Sequence, residues 1–232
     1  MKKLFSLSLV AGILVATMSI APASGTNAQT AGMVSSILNR MERQKRNLKT
    51  LRADITMEKY NSQLRDKEVW SGILLYIPGA GNASVRLEWN RPQHEILTSE
   101  NGNYMLYQPR KKVAYEGKNK VVGNKGDNDV LALMNMSATQ LRTRFGEFQD
   151  LRDETLWGGV ATTHLKVFPK VAASYKYIEV WVDNEGMPVQ TKMVEKNDDA
   201  TTIRLTNLAK NQTIPSDQFK QNLDSTVKRV KG

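Results

Sequence analysis

Two periods of apolar residues divide this chain. Val34, Ile37, Leu38, Met41, Leu48 and Leu51 fall near one face of a helix, with Arg40, Arg43, Lys45 and Lys49 on the other. From Ala53 the period becomes two, the repeat of a strand. Ser84-Val-Arg-Leu-Glu-Trp-Asn90 alternates cleanly, placing Val85, Leu87 and Trp89 on one side and Arg86 and Glu88 on the other. The preceding Trp70-Ser-Gly-Ile-Leu-Leu-Tyr-Ile77 is apolar at nearly every position, and Pro78 ends it. Strands around Ile96 and Leu106 flank Asn101-Gly102, a hairpin signal, and residues 112–115 continue the meander.

Residues 118–128 are mostly polar and read as a loop. A helix is expected over 129–136, with Asp129 as its N-cap, and a further one over 139–148. Alternation then returns in 163–168, 175–182, 189–194 and 201–208, with turns at Asp183-Asn-Glu-Gly186 and Asn197-Asp-Asp199. No repeat or linker divides the chain. The expected fold is mainly β with helices (α+β): a curved antiparallel sheet of about nine or more strands, with helices against one face.

The amino end alters where this fold is expected to reside. Lys2 and Lys3 precede an apolar stretch through Ala21, and Pro22 and small residues follow. This order describes a secretory signal peptide, with cleavage after Ala23 or Ala28, although the stretch is nearly long enough for a membrane anchor. The division expected is a signal peptide over 1–28 and one domain over 29–232, free in the periplasm. With no cysteine, the domain has neither a disulfide nor a lipobox for its own acylation. Losing the leader lowers the net charge from +10 to +8. An acidic partner or an anionic membrane surface suits that charge, and nucleic acid is not expected in this compartment.

Catalytic chemistry is hard to assemble. His94 and His164 sit on separate strands and read as surface residues, and no His-x-x-x-His spacing offers a metal site. There is no Gly-x-Ser-x-Gly elbow and no phosphate-binding glycine loop. Asp127 with Asp129 and Asp198 with Asp199 read as loop or capping residues. Neither an enzyme nor a cofactor is expected, with a hydrolase as the competing possibility. Apolar strand faces remain, and periodicity does not separate a packed core from a cavity.

As an ordered set, the strand sequences are informative. Ser71-Gly-Ile-Leu-Leu-Tyr-Ile-Pro78, the Arg91-Pro92 pair, Glu100-Asn-Gly102 before Tyr104-Met-Leu-Tyr-Gln-Pro109, Ile178-Glu-Val-Trp-Val-Asp183, Gly186-Met-Pro188 and residues 211–219 follow one another as in a known family. The chain resembles the LolA family of periplasmic lipoprotein carriers over nearly its whole mature length, first helix included. The resemblance implies an unclosed antiparallel β-barrel with a helical lid over an apolar cavity. It implies a monomer that shelters the acyl chains of lipoproteins and carries them from an inner-membrane release complex to an outer-membrane acceptor. A related lipid-binding or envelope-stress-sensing module is the alternative. Expected lipid-binding residues are Ile73, Leu75, Ile77, Val85, Leu87, Trp89, Ile96, Leu106, Ile178, Val180, Val182 and Met193, with Leu131, Leu133 and Met134 in the lid. The best-known members carry an arginine before proline that holds the lid by hydrogen bonds. Ile77 stands there in this chain and is expected to offer apolar contact instead.

Overall fold

Helix α1 (Gly25–Asn47) enters a sheet of twelve strands in the computed structural model, which describes residues 25–79, 82–118 and 136–231. Residues 1–24 of the expected signal peptide (1–28), the loop beyond Lys118 and residues 129–135 of the helix expected over 129–136 lie outside the described residues. The strands are β1 (Leu51–Asn61), β2 (Asp66–Ile77), β3 (Ser84–Arg91), β4 (Glu95–Glu100), β5 (Asn103–Gln108) and β6 (Val113–Lys118). Helix α2 (Ala138–Arg144) leads into β7 (Phe145–Leu156), β8 (Val160–Pro169), β9 (Tyr175–Asp183), β10 (Pro188–Glu195), β11 (Ala200–Lys210) and β12 (Lys228–Lys231).

The spatial order is β12-β6-β5-β4-β3-β2-β1-β11-β10-β9-β8-β7, so among the described residues β12 and β7 are edges and the sheet does not close. Two meanders meet at one seam, where β1 pairs with β11 and Leu51 lies opposite Lys210. Each pairing is antiparallel except that of β12 with β6, which makes the sheet mixed rather than the expected antiparallel one.

Directly opposed residues in such pairs share a face. One row therefore runs Ala53, Leu74, Leu87, Leu97, Leu106, Tyr115 across six strands. In the other direction it continues on the same side from Met57 through Ile203, Thr191, Val180 and Leu165. Helix α1 packs on this side, so we call it the inner face.

The repeat of apolar residues in α1 is what seats it. Val34, Ile37, Leu38 and Met41 are buried in one cluster with Leu165, Val167, Ile178, Val180, Val182 and Met193 of β8–β10. Burying a side chain such as Leu38 is worth about 1.5–3 kcal/mol. The Arg40 guanidinium donates to Thr163 Oγ1 at 3.2 Å on the same face. Gly186, at φ +98°, lets the β9–β10 turn approach the helix: a Cβ there would lie 2.3 Å from the Arg40 carbonyl oxygen. The helix stops at Asn47, and Leu51, expected on its apolar face, instead begins β1.

The second helix is shorter than expected. Ser137 and Gln140 form a capping box that starts it, with Gln140 N donating to Ser137 Oγ at 3.1 Å. It ends at Arg144, and Phe145 to Phe148, expected as helix, open the edge strand β7. Phe145 is buried in the α1 cluster, and Gly146 is a poor helix former there.

Candidate functional site

Among the described residues, the inner face has a covered half and an open half. Under α1, β8–β10 are sealed as ordinary core. On β1–β6 the apolar rows continue with no buried α1 residue from the 34–41 stretch against them. Trp70, Gly72, Leu74 and Tyr76 of β2 face Trp89, Leu87 and Val85 of β3. Leu97 and Ser99 follow on β4, Tyr104 and Leu106 on β5, and Tyr115 on β6. Burial falls off along that row. Leu74 and Leu87 are buried, Leu97 and Leu106 are half-buried, and Tyr115 is 38% exposed. The trough thus has a dense floor at β1–β3 and an apolar rim that solvent still reaches.

Aromatic packing shapes the floor. The Trp70 and Trp89 rings meet edge to face at 5.9 Å. Gly72 makes room for β3, since a Cβ on it would sit 2.0 Å from the Glu88 carbonyl oxygen. The Trp70 Nε1 donor is buried without a partner among the described residues. At the far end Gln108 donates to Glu95 Oε1 at 2.8 Å, giving the trough a polar end.

The opposite face of the same strands is differently built. Arg86 donates to Glu88 Oε2 at 2.7 Å and His94 Nε2 lies 3.1 Å from Glu88 Oε1. Partial burial pushes the Glu88 carboxyl up, but the hydrogen bonds from Arg86 and His94 outweigh it and hold it below the usual carboxylate range. The carboxyl-terminal segment crosses here. Arg86 donates to the Gln218 carbonyl at 3.2 Å, Phe219 is buried, and the Gln221 amide reaches Ile96 O, Thr98 Oγ1 and Met105 O. Beside it an open groove of about 1130 Å³ is lined by Thr98, Met105, Phe219 and Gln221, with Glu100, Glu116, Lys118 and Lys231. This mixture of charges does not suit an acyl chain.

The expected lipid-binding set is divided by this geometry. Val85, Leu87, Trp89 and Leu106 share the open half of the inner face. Ile178, Val180, Val182 and Met193 share the face but lie under α1. Ile73, Leu75, Ile77 and Ile96 point the other way, because Ile73 opposes Glu88, Leu75 opposes Arg86 and Ile77 opposes Ser84. Leu131, Leu133 and Met134 are outside the described residues. Trp70, Leu74, Tyr76, Leu97 and Tyr115 were not anticipated. Their signal was the cross-strand match of Gly72 to a tryptophan, which the residues of β2 alone do not reveal.

His164 also departs from expectation. It is fully buried, with Nδ1 3.0 Å from the Asp150 carbonyl, Nε2 3.1 Å from Glu179 Oε2, and its ring 4.7 Å from that of Trp181. It braces Asp150, a residue at φ +54° beside a register shift in β7.

The family model for the outer membrane lipoprotein carrier protein LolA matches residues 46–222. The chain belongs to the LolA family. The LolA match begins at the end of α1, so the first helix, included in the resemblance, lies almost wholly outside it. A search of curated proteins found no match. Among solved structures, MucB is similar at 15% identity and a TM-score of 0.55, over 82% of this chain and 63% of that one. A chain of the Pseudomonas aeruginosa MucA/MucB complex gives 15% and 0.51, over 82% and 61%. The chain therefore spans under two thirds of the length of these two. LprF from Mycobacterium bovis gives 12% and 0.51, over 80% of this chain and 97% of that one. These likenesses establish the fold; the LolA family itself is one of periplasmic carrier proteins rather than enzymes.

Proposed function

We propose that this protein is a periplasmic, non-enzymatic carrier that shelters the acyl chains of lipoproteins and moves them from the inner to the outer membrane. On this reading residues 1–28 are a cleaved leader, and a release complex and an acceptor stand at the two ends of the journey. One observation carries the proposal: on the β2–β6 half of the inner face the row Leu74, Leu87, Leu97, Leu106, Tyr115 is apolar yet grows more exposed toward Leu97, Leu106 and Tyr115. A core would be covered there, as β8–β10 are by α1. An exposed acyl chain costs about 0.8 kcal/mol per CH₂, and the trough offsets that cost by contact that is non-directional and easily exchanged. A rim that stays open lets the cargo leave.

The test is binding of a fluorescent fatty acid to the mature protein. Tyr115→Glu, at an exposed rim position, is expected to keep the fold and weaken binding about tenfold or more, since it sets a charge against the chain. Lys111→Glu, on the turn between β5 and β6, should leave binding unchanged. Unaltered affinity in Tyr115→Glu would remove the acyl chain from this face. Mass spectrometry of co-purifying material then names the cargo: triacylated protein supports carriage, and phospholipid alone supports a lipid-sensing module instead.

A further inference from the structure

One end of the sheet gathers features that the acyl trough does not use. The register places the end of β1 that bears Leu51, the β7–β8 hairpin tip and the β9–β10 turn at the same end. Thr162 pairs with Asp183, so the two hairpin tips lie side by side, and the β9–β10 turn touches α1 at Arg40. At the β7–β8 tip stands Trp157, 87% exposed, followed by Gly158 and Gly159 at positive φ and by Val160, 37% exposed. The Arg204 guanidinium holds the Trp157 carbonyl and fixes the tip while leaving the indole in solvent.

Cations gather at the same end of the sheet. Arg43 and Arg46 lie on the outward side of α1, Lys49 follows the helix and Arg52 is the second residue of β1; all four are exposed. Among the described residues none of the four has an ion-pair partner. The carboxylates nearby are already engaged. Glu42 accepts from Ala138 N, and Lys210 binds both Asp183 and Glu185. The helix macrodipole explains a preference for cations in the last turn of α1, but not Lys49 and Arg52 beyond it or the bare tryptophan at the same end of the sheet.

From this juxtaposition we propose that the Trp157 end of the molecule docks on a bilayer surface with anionic headgroups. The indole sits at the headgroup level, where its apolar body and polar N–H are both satisfied, and the four cations bind lipid phosphates. A single projecting aromatic on a narrow hairpin suits a fluid interface. A standard protein interface buries about 800 Å² on each partner, whereas the exposed large hydrophobics of this tip are Trp157 and Val160. Docking of this kind is separate from acyl binding and is measured separately.

Vesicle co-sedimentation of the full mature protein tests it, with phosphatidylcholine–phosphatidylglycerol vesicles against phosphatidylcholine alone. Binding is expected only with the anionic lipid and should fall as salt rises. The pair Arg43→Glu/Arg46→Glu should weaken it roughly tenfold or more. The charge-matched pair Arg110→Glu/Lys111→Glu, on the β5–β6 turn at the opposite end, should reduce it far less. The blue shift of tryptophan emission on binding should disappear in Trp157→Phe, which keeps the apolar ring. Fatty-acid affinity, unchanged in every variant, shows that the fold and trough persist. Equal losses in the two charge pairs would reduce the effect to net charge and overturn the proposal. So would equal binding to both vesicles, no binding to either, or a blue shift that survives Trp157→Phe.

Discussion

Ile77 is the residue at which the family comparison and the geometry part company. An arginine before proline reaches the lid in the best-known relatives, yet here the register sets Ile77 opposite Ser84 on the face away from Leu74 and Tyr76. Ile77→Arg is therefore expected to fold and to take up a fluorescent fatty acid at the wild-type rate, as read by stopped-flow mixing. A slower rate would place position 77 against the lid. The sequence could not reveal this, because β2 is apolar on both sides from Ile73 to Ile77 and alternation has nothing to mark. In β3 the charges of Arg86 and Glu88 mark the outer side, and Val85, Leu87 and Trp89 face inward as the pattern indicated. His164 was misread for the converse reason: a polar residue at an outward position is normally wet, but Trp181 and Glu179 close over it.

Among the elements, turns were more legible than edges. The Asn101-Gly102 and Asp183-Asn-Glu-Gly186 turns fall where their chemistry requires, whereas β7 and β12 are charged strands with no alternation to announce them. The long β1–β2 hairpin shows how one turn holds two elements. Ser62 N donates to Asp199 Oδ1 at 2.7 Å, joined by Ser62 Oγ at 3.0 Å, so the β10–β11 turn clamps the end of β1. The hydrogen bond from the Ser62 backbone holds the Asp199 carboxyl below the ordinary aspartate range. A carboxyl lowered in the folded state stabilises the fold above its unfolded pKa, and that contribution is lost as pH falls through the folded value. Asp199→Asn keeps an accepting oxygen but does not titrate. The drop in melting temperature from about pH 7 to about pH 2.5 should be smaller in the variant than in the wild type. An equal drop would mean that the clamp contributes nothing to acid lability.

Over the whole molecule, the class of fold was readable because local periods and family order agreed, while the division of labour across the inner face was not. Which half α1 covers depends on contacts between residues more than a hundred positions apart, such as Arg40 with Thr163. The same remoteness governs the seam. Strand β1 pairs with β2 nearby but finds its second partner only in β11, so the two meanders can form from near neighbours and then wait for each other. Closing so long a loop is slow, and chains of this size commonly fold through intermediates. Leu205→Ala, at the seam opposite Ile55, should therefore speed unfolding and leave the main folding rate nearly unchanged. Leu87→Ala, inside the first meander, should slow folding itself. Chevron measurements on the two variants decide this, and folding slowed equally by both would mean that the seam forms early. A chain that has not yet delivered β11 is two open half-sheets, each with an unsealed edge, and it shelters nothing until its last strands arrive.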